Sequence, residues 1–256
     1  MSAMASTIAA QMYTLRDFTK TPRDIASTLA LVKKIGYDAV QLSALGKIDP
    51  QELAAILTGE GLTCCATHVS LERLRDETTK VIDEHHLWGC KYTAVGGFFP
   101  KKPRATDWPD FANAYNAIAA KFHGSGVSLG YHNHSHELVR FEGKTALQIL
   151  LDHFSPNVWM EIDTYWIQHG GADPAAWIAK VAGRIPCVHL KDMAITSDQT
   201  QQMAEVGEGN LNWPAILKAC REAGVRWYII EQDICQRDPF ESLAISLNNA
   251  REMDLE

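Results

Sequence analysis

Short apolar runs recur along the chain, and most of them end in side chains that bind cations or carry protons. The run 158–163 ends in Glu161-Ile162-Asp163, the run 187–191 in His189-Leu190-Lys191, and the run 227–231 in Glu231, followed by Gln232 and Asp233. The run 127–132 leads into Tyr131-His132-Asn133-His134-Ser135-His136-Glu137. Earlier runs end with Gln11 and Tyr13, with Gln41, and with His68, while the run 92–95 is followed by Gly96-Gly97. Asp163, His189 and Glu231 come from three different runs and form a mixed nitrogen and oxygen donor set. Such a set suits one divalent Mn, Co, Zn or Fe ion better than calcium. A lone polar strand end is often satisfied by neighbouring backbone, so the argument rests on several of them converging.

Convergence requires elements that bring these ends together. The runs 7–13, 39–42, 63–68, 92–95, 127–132, 158–163, 187–191 and 227–231 read as strands. Between them lie amphipathic stretches with helix-start signals: Thr21-Pro22, Asp49-Pro50, Asp173-Pro174 and Asp238-Pro239, with Asp107-Trp108-Pro109 and Asn212-Trp213-Pro214 alongside. Gly36, Gly61, Gly89, Gly124 and Gly224 mark helix stops. Strands alternating with helices imply a parallel sheet with right-handed crossovers. No G-x-G-x-x-G follows the first strand, so a dinucleotide-binding sheet lacks its phosphate device. Eight units in 256 residues predict a single (β/α)₈ TIM-barrel domain over residues 1–256. In that fold the C-terminal strand ends, where the polar residues lie, surround the active site.

Composition narrows the function classes. Lys plus Arg number 24 against 31 Asp plus Glu, a net charge of -7, opposite to the bias of a nucleic-acid binder. No apolar run reaches membrane-spanning length, and Met1 to Ser6 have no secretion-signal character. The six cysteines, Cys64, Cys65, Cys90, Cys187, Cys220 and Cys235, form no C-x-x-C pair, and buried thiols of a cytoplasmic protein are expected.

Five segments carry a family resemblance: Gln11-Met12-Tyr13-Thr14-Leu15-Arg16-Asp17, Ile35-Gly36-Tyr37-Asp38-Ala39-Val40-Gln41, Ile162-Asp163-Thr164-Tyr165-Trp166, Val188-His189-Leu190-Lys191-Asp192 and Val206-Gly207-Glu208-Gly209. Together they resemble the sugar phosphate isomerase/epimerase family of xylose isomerase-like barrels, which also includes endonuclease IV and inosose dehydratase. The resemblance implies one divalent metal held from strands five to eight, with Asp163, His189 and Glu231 matching three of the ligands. On strand five the family carries Glu, whereas this chain has His132, and the His-x-His there is similar to the inosose dehydratase branch. Two imidazoles and two carboxylates would balance a divalent charge. The change also removes a carboxylate that family epimerases use as a base, and Glu137 and Glu161 both remain open as replacements.

His134 shares the face of His132 if the strand continues, and it is read as an acid/base group. Lys191 shares the face of His189 and could stabilise an enolate, or else pair with Glu161 or Asp192. Gln11, Tyr13, His68 and Trp166 are expected to contact substrate. The function implied is an isomerase or epimerase acting on a small sugar or keto-sugar through an enediolate. The alternative is a lyase or dehydratase on a keto-sugar or inosose, in which the same enolate expels a β-substituent. A small carbohydrate is the expected partner, with neither nucleic acid nor membrane. Family members often pair through loops at the catalytic face, so a homo-oligomer is compatible with the resemblance.

Overall fold

The computed structural model describes residues 7–255, so the reading of Met1 to Ser6 falls outside the described residues. The apolar runs become β1 (Thr7–Gln11), β2 (Ala39–Leu42), β3 (Thr63–His68), β4 (Tyr92–Val95), β5 (Ser128–His132), β6 (Trp159–Asp163), β7 (Cys187–Leu190) and β8 (Trp227–Ile230). Each strand pairs with its sequence neighbours and β1 also pairs with β8, which closes an eight-stranded parallel barrel. The chain is thus a (β/α)₈ barrel, as its alternating pattern predicts. β1 stops at Gln11, earlier than the sequence suggests, because Met12–Phe18 turns into a 3₁₀ helix. The Gln11 side chain accepts the Tyr13 N–H at that turn.

Helix starts follow local chemistry. Thr21 and Asp24 form a reciprocal capping box, and Asp49, Asp173 and Asp238 each accept two backbone N–H groups with proline in the first turn. Asn212 caps Trp213–Ala223 by accepting the Ala215 N–H, again with proline in the first turn. Asp107 departs from its expected role as a cap. It is the first residue of Asp107–Lys121, and its carboxylate pairs with Arg104 instead.

Two antiparallel hairpins were not foreseen: Arg140–Phe141 with Lys144–Thr145, and Asp192–Ile195 with Gln201–Ala204. The second is rooted by the buried Asp192 carboxylate. It accepts the backbone N–H groups of Met193, Gly207, Gly209 and Leu211 and the indole N–H of Trp213, at 2.7–3.2 Å. A Cβ on Gly209 would lie 2.2 Å from Asp192 Oδ1, so only glycine fits there.

Alternation along the strands stacks the barrel interior in layers. The floor holds Ala9, Ala39, Ala66, Ala94, Cys187 and Ile229 around one large side chain, Trp159. Gly130 makes room for that indole, whose N–H donates to the Ser128 carbonyl. Two residues further along each strand, the inward positions are Gln11, Gln41, His68, His132, Glu161, His189 and Glu231, so a polar layer sits directly on an apolar floor. The larger apolar core lies between the strands and the helices outside them. Cys64, Cys65, Cys90, Cys187 and Cys220 are buried free thiols, and Cys235 is half-buried. No helix among the described residues is long and apolar enough to cross a membrane.

Candidate functional site

His68, His132 and Glu231 of the polar layer line a cavity of about 770 Å³ at the barrel mouth, together with His134, Lys191 and Asp233 above them. β5 supplies His132, β6 supplies Asp163 and β7 supplies His189, while Glu231 directly follows β8. One donor atom from each of these four buried residues lies within 4.8 Å of the others. His132 Nε2 stands 3.2 Å from Asp163 Oδ2, and His189 Nδ1 stands 2.8 Å from Glu231 Oε2. Neither of those last two atoms makes a hydrogen bond, so two buried polar atoms face a common point without satisfying each other. Donors about 2.0–2.2 Å from a shared ion stand roughly 3–3.6 Å apart. The spacing and the donor chemistry therefore fit a four-ligand divalent site.

Asp163 divides its two oxygens. Oδ1 accepts the Trp166 N–H and caps Thr164–His169, which leaves Oδ2 for the cluster. Lys191 is buried in the same place, its Nζ 3.1 Å from Asp163 Oδ2, 2.8 Å from Glu231 Oε2 and 3.0 Å from Asp233 Oδ2. It pairs with neither Glu161 nor Asp192. Asp233 was not singled out in the sequence, although its step of two beyond Glu231 repeats the step from His189 to Lys191.

The charges explain the protonation of the group. Burial would lower the Lys191 pKa, but Asp163, Glu231 and Asp233 raise it above the ordinary lysine value. Burial would likewise lower His189, and Glu161 and Glu231 reverse that. Asp163 and Glu231 are held well below the usual carboxylate range, because Lys191 and the imidazoles outweigh burial. Asp233 is pushed up to about 6 by burial and by Glu231, against Lys191. Carboxylates thus outnumber the one fixed cation, and the proton on His189 offsets part of the surplus. A divalent ion would do the same and displace that proton.

Burial brings His132 down to about 4, with His189 adding to the effect. His134 is brought to about 2 by burial, His132 and Lys191. His134 lines the cavity between Phe99 and Trp166, and its buried Nδ1 has no partner. Tyr13, His68 and Trp166 also line the cavity, together with Arg16, Ser43 and Phe98.

Five expected site residues do not line it: Asp163 and His189 are fully buried within the four-residue group, and Gln11, Glu137 and Glu161 lie outside that group. Gln11 is buried beneath and donates to Gln41 Oε1, so it is not placed to touch substrate. Glu137 turns away from the mouth, accepting the Tyr131 hydroxyl at 2.7 Å and the His134 N–H at 2.9 Å. Its carboxyl is pushed up to about 8 by burial, and it fixes the loop that carries His134. Glu161 lies in the polar layer with its oxygens taken by Gln41 and His68. Neither glutamate is placed as a base on a bound molecule.

A family model described as xylose isomerase-like TIM barrel matches residues 29–248. The chain belongs to this family. Among relatives of known sequence, the inosose dehydratase of Geobacillus kaustophilus is 28% identical over 189 residues, which cover 64% of this chain and 61% of that protein. The match spans about three fifths of that relative's length. Among solved structures, a sugar phosphate isomerase/epimerase from Parabacteroides distasonis superposes with a TM-score of 0.80 at 22% identity, over 97% of this chain and 98% of that one. The IolI protein with a bound zinc atom gives 0.72 at 14% identity, over 96% and 97% of the two chains. At these identities the structural likeness shows the xylose isomerase-like fold.

Proposed function

We propose that the protein is a metal-dependent carbon–oxygen lyase that removes water from a small, neutral keto-polyol. The observation that carries this reading is the unpartnered imidazole of His134, which shares the cavity with Lys191, Glu231 and Asp233. His132, Asp163, His189 and Glu231 would hold the ion, whose Lewis acidity makes a C–H bond beside a ketone more acidic.

The other steps fall to the chain's own groups. Lys191 stays charged among its carboxylates and donates a hydrogen bond to the ketone oxygen as negative charge builds there. Burial keeps His134 neutral at the start, and its unpartnered imidazole at the cavity takes the proton from the carbon beside the ketone. The imidazolium then returns that proton to the hydroxyl on the next carbon. The C–O bond breaks with its electron pair leaving on the oxygen as water, and the enolate's electron pair becomes the new C=C bond. One residue thus serves as base and then acid, so no carboxylate on strand five is required. The similarity to an inosose dehydratase supports a loss of water as the overall reaction.

The cavity supports an uncharged substrate. Of its two cations, Lys191 is matched by three carboxylates, and Arg16 donates to the carbonyls of Tyr13 and Asp233 at 3.0 and 2.9 Å. The charge around Lys191 therefore offers a phosphate no net attraction. Phe98, Phe99 and Trp166 provide apolar walls for the faces of a ring.

The second reading is the isomerase or epimerase, favoured by the fold shared with the Parabacteroides protein. It uses the same first proton transfer but returns the proton to carbon. Incubating the protein with Mn²⁺ or Co²⁺ and a panel of inososes and ketoses in D₂O separates the two. Loss of a hydroxyl with a new C=C bond supports the lyase, whereas deuterium at carbon with every oxygen retained supports the isomerase. Neither outcome across the panel, with the ion bound, overturns both.

A further inference from the structure

Beneath the four-residue group lies a second set with metal-like spacing, His68, Glu161 and His189. Hydrogen bonds account for it. Glu161 Oε1 accepts the Gln41 amide at 2.8 Å, and Oε2 accepts His68 Nε2 at 2.5 Å. Gln41 Oε1 receives Gln11 Nε2 and His189 Nε2, both at 2.6 Å.

The direction of this chain follows from one fact: an ionised carboxylate only accepts. The Gln41 atom facing Glu161 must therefore be its NH₂, so the atom facing His189 must be the carbonyl oxygen. A carbonyl oxygen needs a donor, so His189 carries its hydrogen on Nε2. Nδ1 is then the nitrogen that gives up its proton when an ion binds, and it offers its lone pair on the side of Glu231 and Asp163. The same reasoning puts the hydrogen of His68 on Nε2. Its Nδ1 is left bare at the cavity wall beside Gly96, where even an added Cβ would stand 3.6 Å away.

We propose that Glu161 is a positioning residue that sets the tautomers of two histidines at once, presenting His189 Nδ1 to the cation and His68 Nδ1 as an acceptor for a substrate hydroxyl. The His189 half rests on the metal site proposed above, and the His68 half does not. Gln41 relays the polarity from Glu161 to His189, and Gln11 supplies the other donor to the Gln41 carbonyl.

Moving the charge one residue along the chain tests the proposal. Glu161→Gln keeps the shape but lets both amides flip, so the polarity is no longer defined. In the double variant Gln41→Glu with Glu161→Gln, the carboxylate at position 41 accepts His189 Nε2 directly, and the amide at 161 donates to it while accepting from His68. Zinc affinity, measured by competition with a chelating dye, is expected to fall about 10–100-fold in Glu161→Gln and to recover to within a few-fold in the double variant. Imidazole ¹⁵N spectra of the metal-free protein in mildly alkaline buffer should show His68 protonated at Nε2 in the wild type and the double variant, and no longer uniquely so in Glu161→Gln. Far-ultraviolet spectra confirm that each variant folds.

Unchanged affinity in Glu161→Gln, or failure of the double variant to recover it, would overturn the His189 half. A wild-type His68 protonated at Nδ1 would overturn the His68 half. If the wild type binds no zinc, the metal reading and the His189 half fall together, and the ¹⁵N spectra decide the His68 half alone.

Discussion

Gly130 on β5 and Trp159 on β6 share one position on the barrel floor: a Cβ on Gly130 would lie 2.3 Å from the indole ring. The indole is buried among alanines and cannot retreat without breaking its bond to the Ser128 carbonyl. Gly130→Ala is therefore expected to destabilise the fold by about 1–3 kcal/mol, the usual cost of overpacking a tight interior. Urea denaturation followed by circular dichroism measures it. A midpoint equal to that of the wild type would show that β5 and β6 part easily.

The four-residue group makes distinguishable predictions about metal content. Glu231→Ala and Asp163→Ala should each lose the ion on dialysis, as read by elemental analysis. Asp163→Ala should in addition lose about 1 kcal/mol of stability, because Oδ1 caps Thr164–His169. His132→Ala should weaken metal binding more than His136→Ala, since His136 Nε2 is bonded to the Phe98 carbonyl and lies outside the group. The reverse order would mean that the loop after β5 is assigned to the wrong role.

His134→Asn should keep its metal and lose turnover. General acid–base groups typically contribute about 10²–10⁴-fold, so a loss of that size in kcat is expected on whichever keto-polyol proves active. An activity within threefold of wild type, roughly 0.7 kcal/mol in barrier, would remove His134 from the mechanism.

Far from the mouth, His85 couples stability to pH. It is buried, its Nδ1 2.6 Å from the Val81 carbonyl and its Nε2 2.8 Å from Thr67 Oγ1. Burial lowers its pKa from 6.5 to about 4. The unfolded chain therefore takes up this proton first as the pH falls below 6.5, and stability is lost progressively until about pH 4, where the folded form also protonates. The full effect is at most about 3 kcal/mol. Comparing denaturation at neutral pH and near pH 5, the drop should be smaller in His85→Gln than in wild type. Equal drops would mean that His85 charges without unfolding.

Much of this architecture was legible because it rests on local rules. Apart from β1, the strands end at or within a residue of where the apolar runs end, and the Asp-Pro and Thr-Pro signals bind the N–H groups that the first turn of a helix leaves open. Asp107 misled because its carboxylate had a nearer partner in Arg104, which no spacing rule ranks. The Asp192–Ile195 and Gln201–Ala204 hairpin was missed because its strands pair only with each other and carry polar residues such as Gln201 and Gln202. Polar strand ends pointed to Asp163, His189 and Glu231, and the step of two that put Lys191 on the face of His189 would have put Asp233 beside Glu231 as well. The ambiguity between Glu137 and Glu161 could not be settled from the sequence, because it depends on where the chain turns after β5 and on which side chains lie across the barrel. Both prove to hold other residues in place.

Asp192 has a consequence for exchange with solvent. The stretch from Gly207 to Leu211 has the glycines and polar residues of a loop that would be expected to give up its amide hydrogens quickly. Three of those hydrogens, on Gly207, Gly209 and Leu211, point at one buried carboxylate that also holds the Trp213 indole and the root of the hairpin. None can be released alone without leaving that charge short of a donor in the interior. Their exchange is therefore tied to a larger opening event, and in deuterated buffer this loop would label on the timescale of the barrel strands.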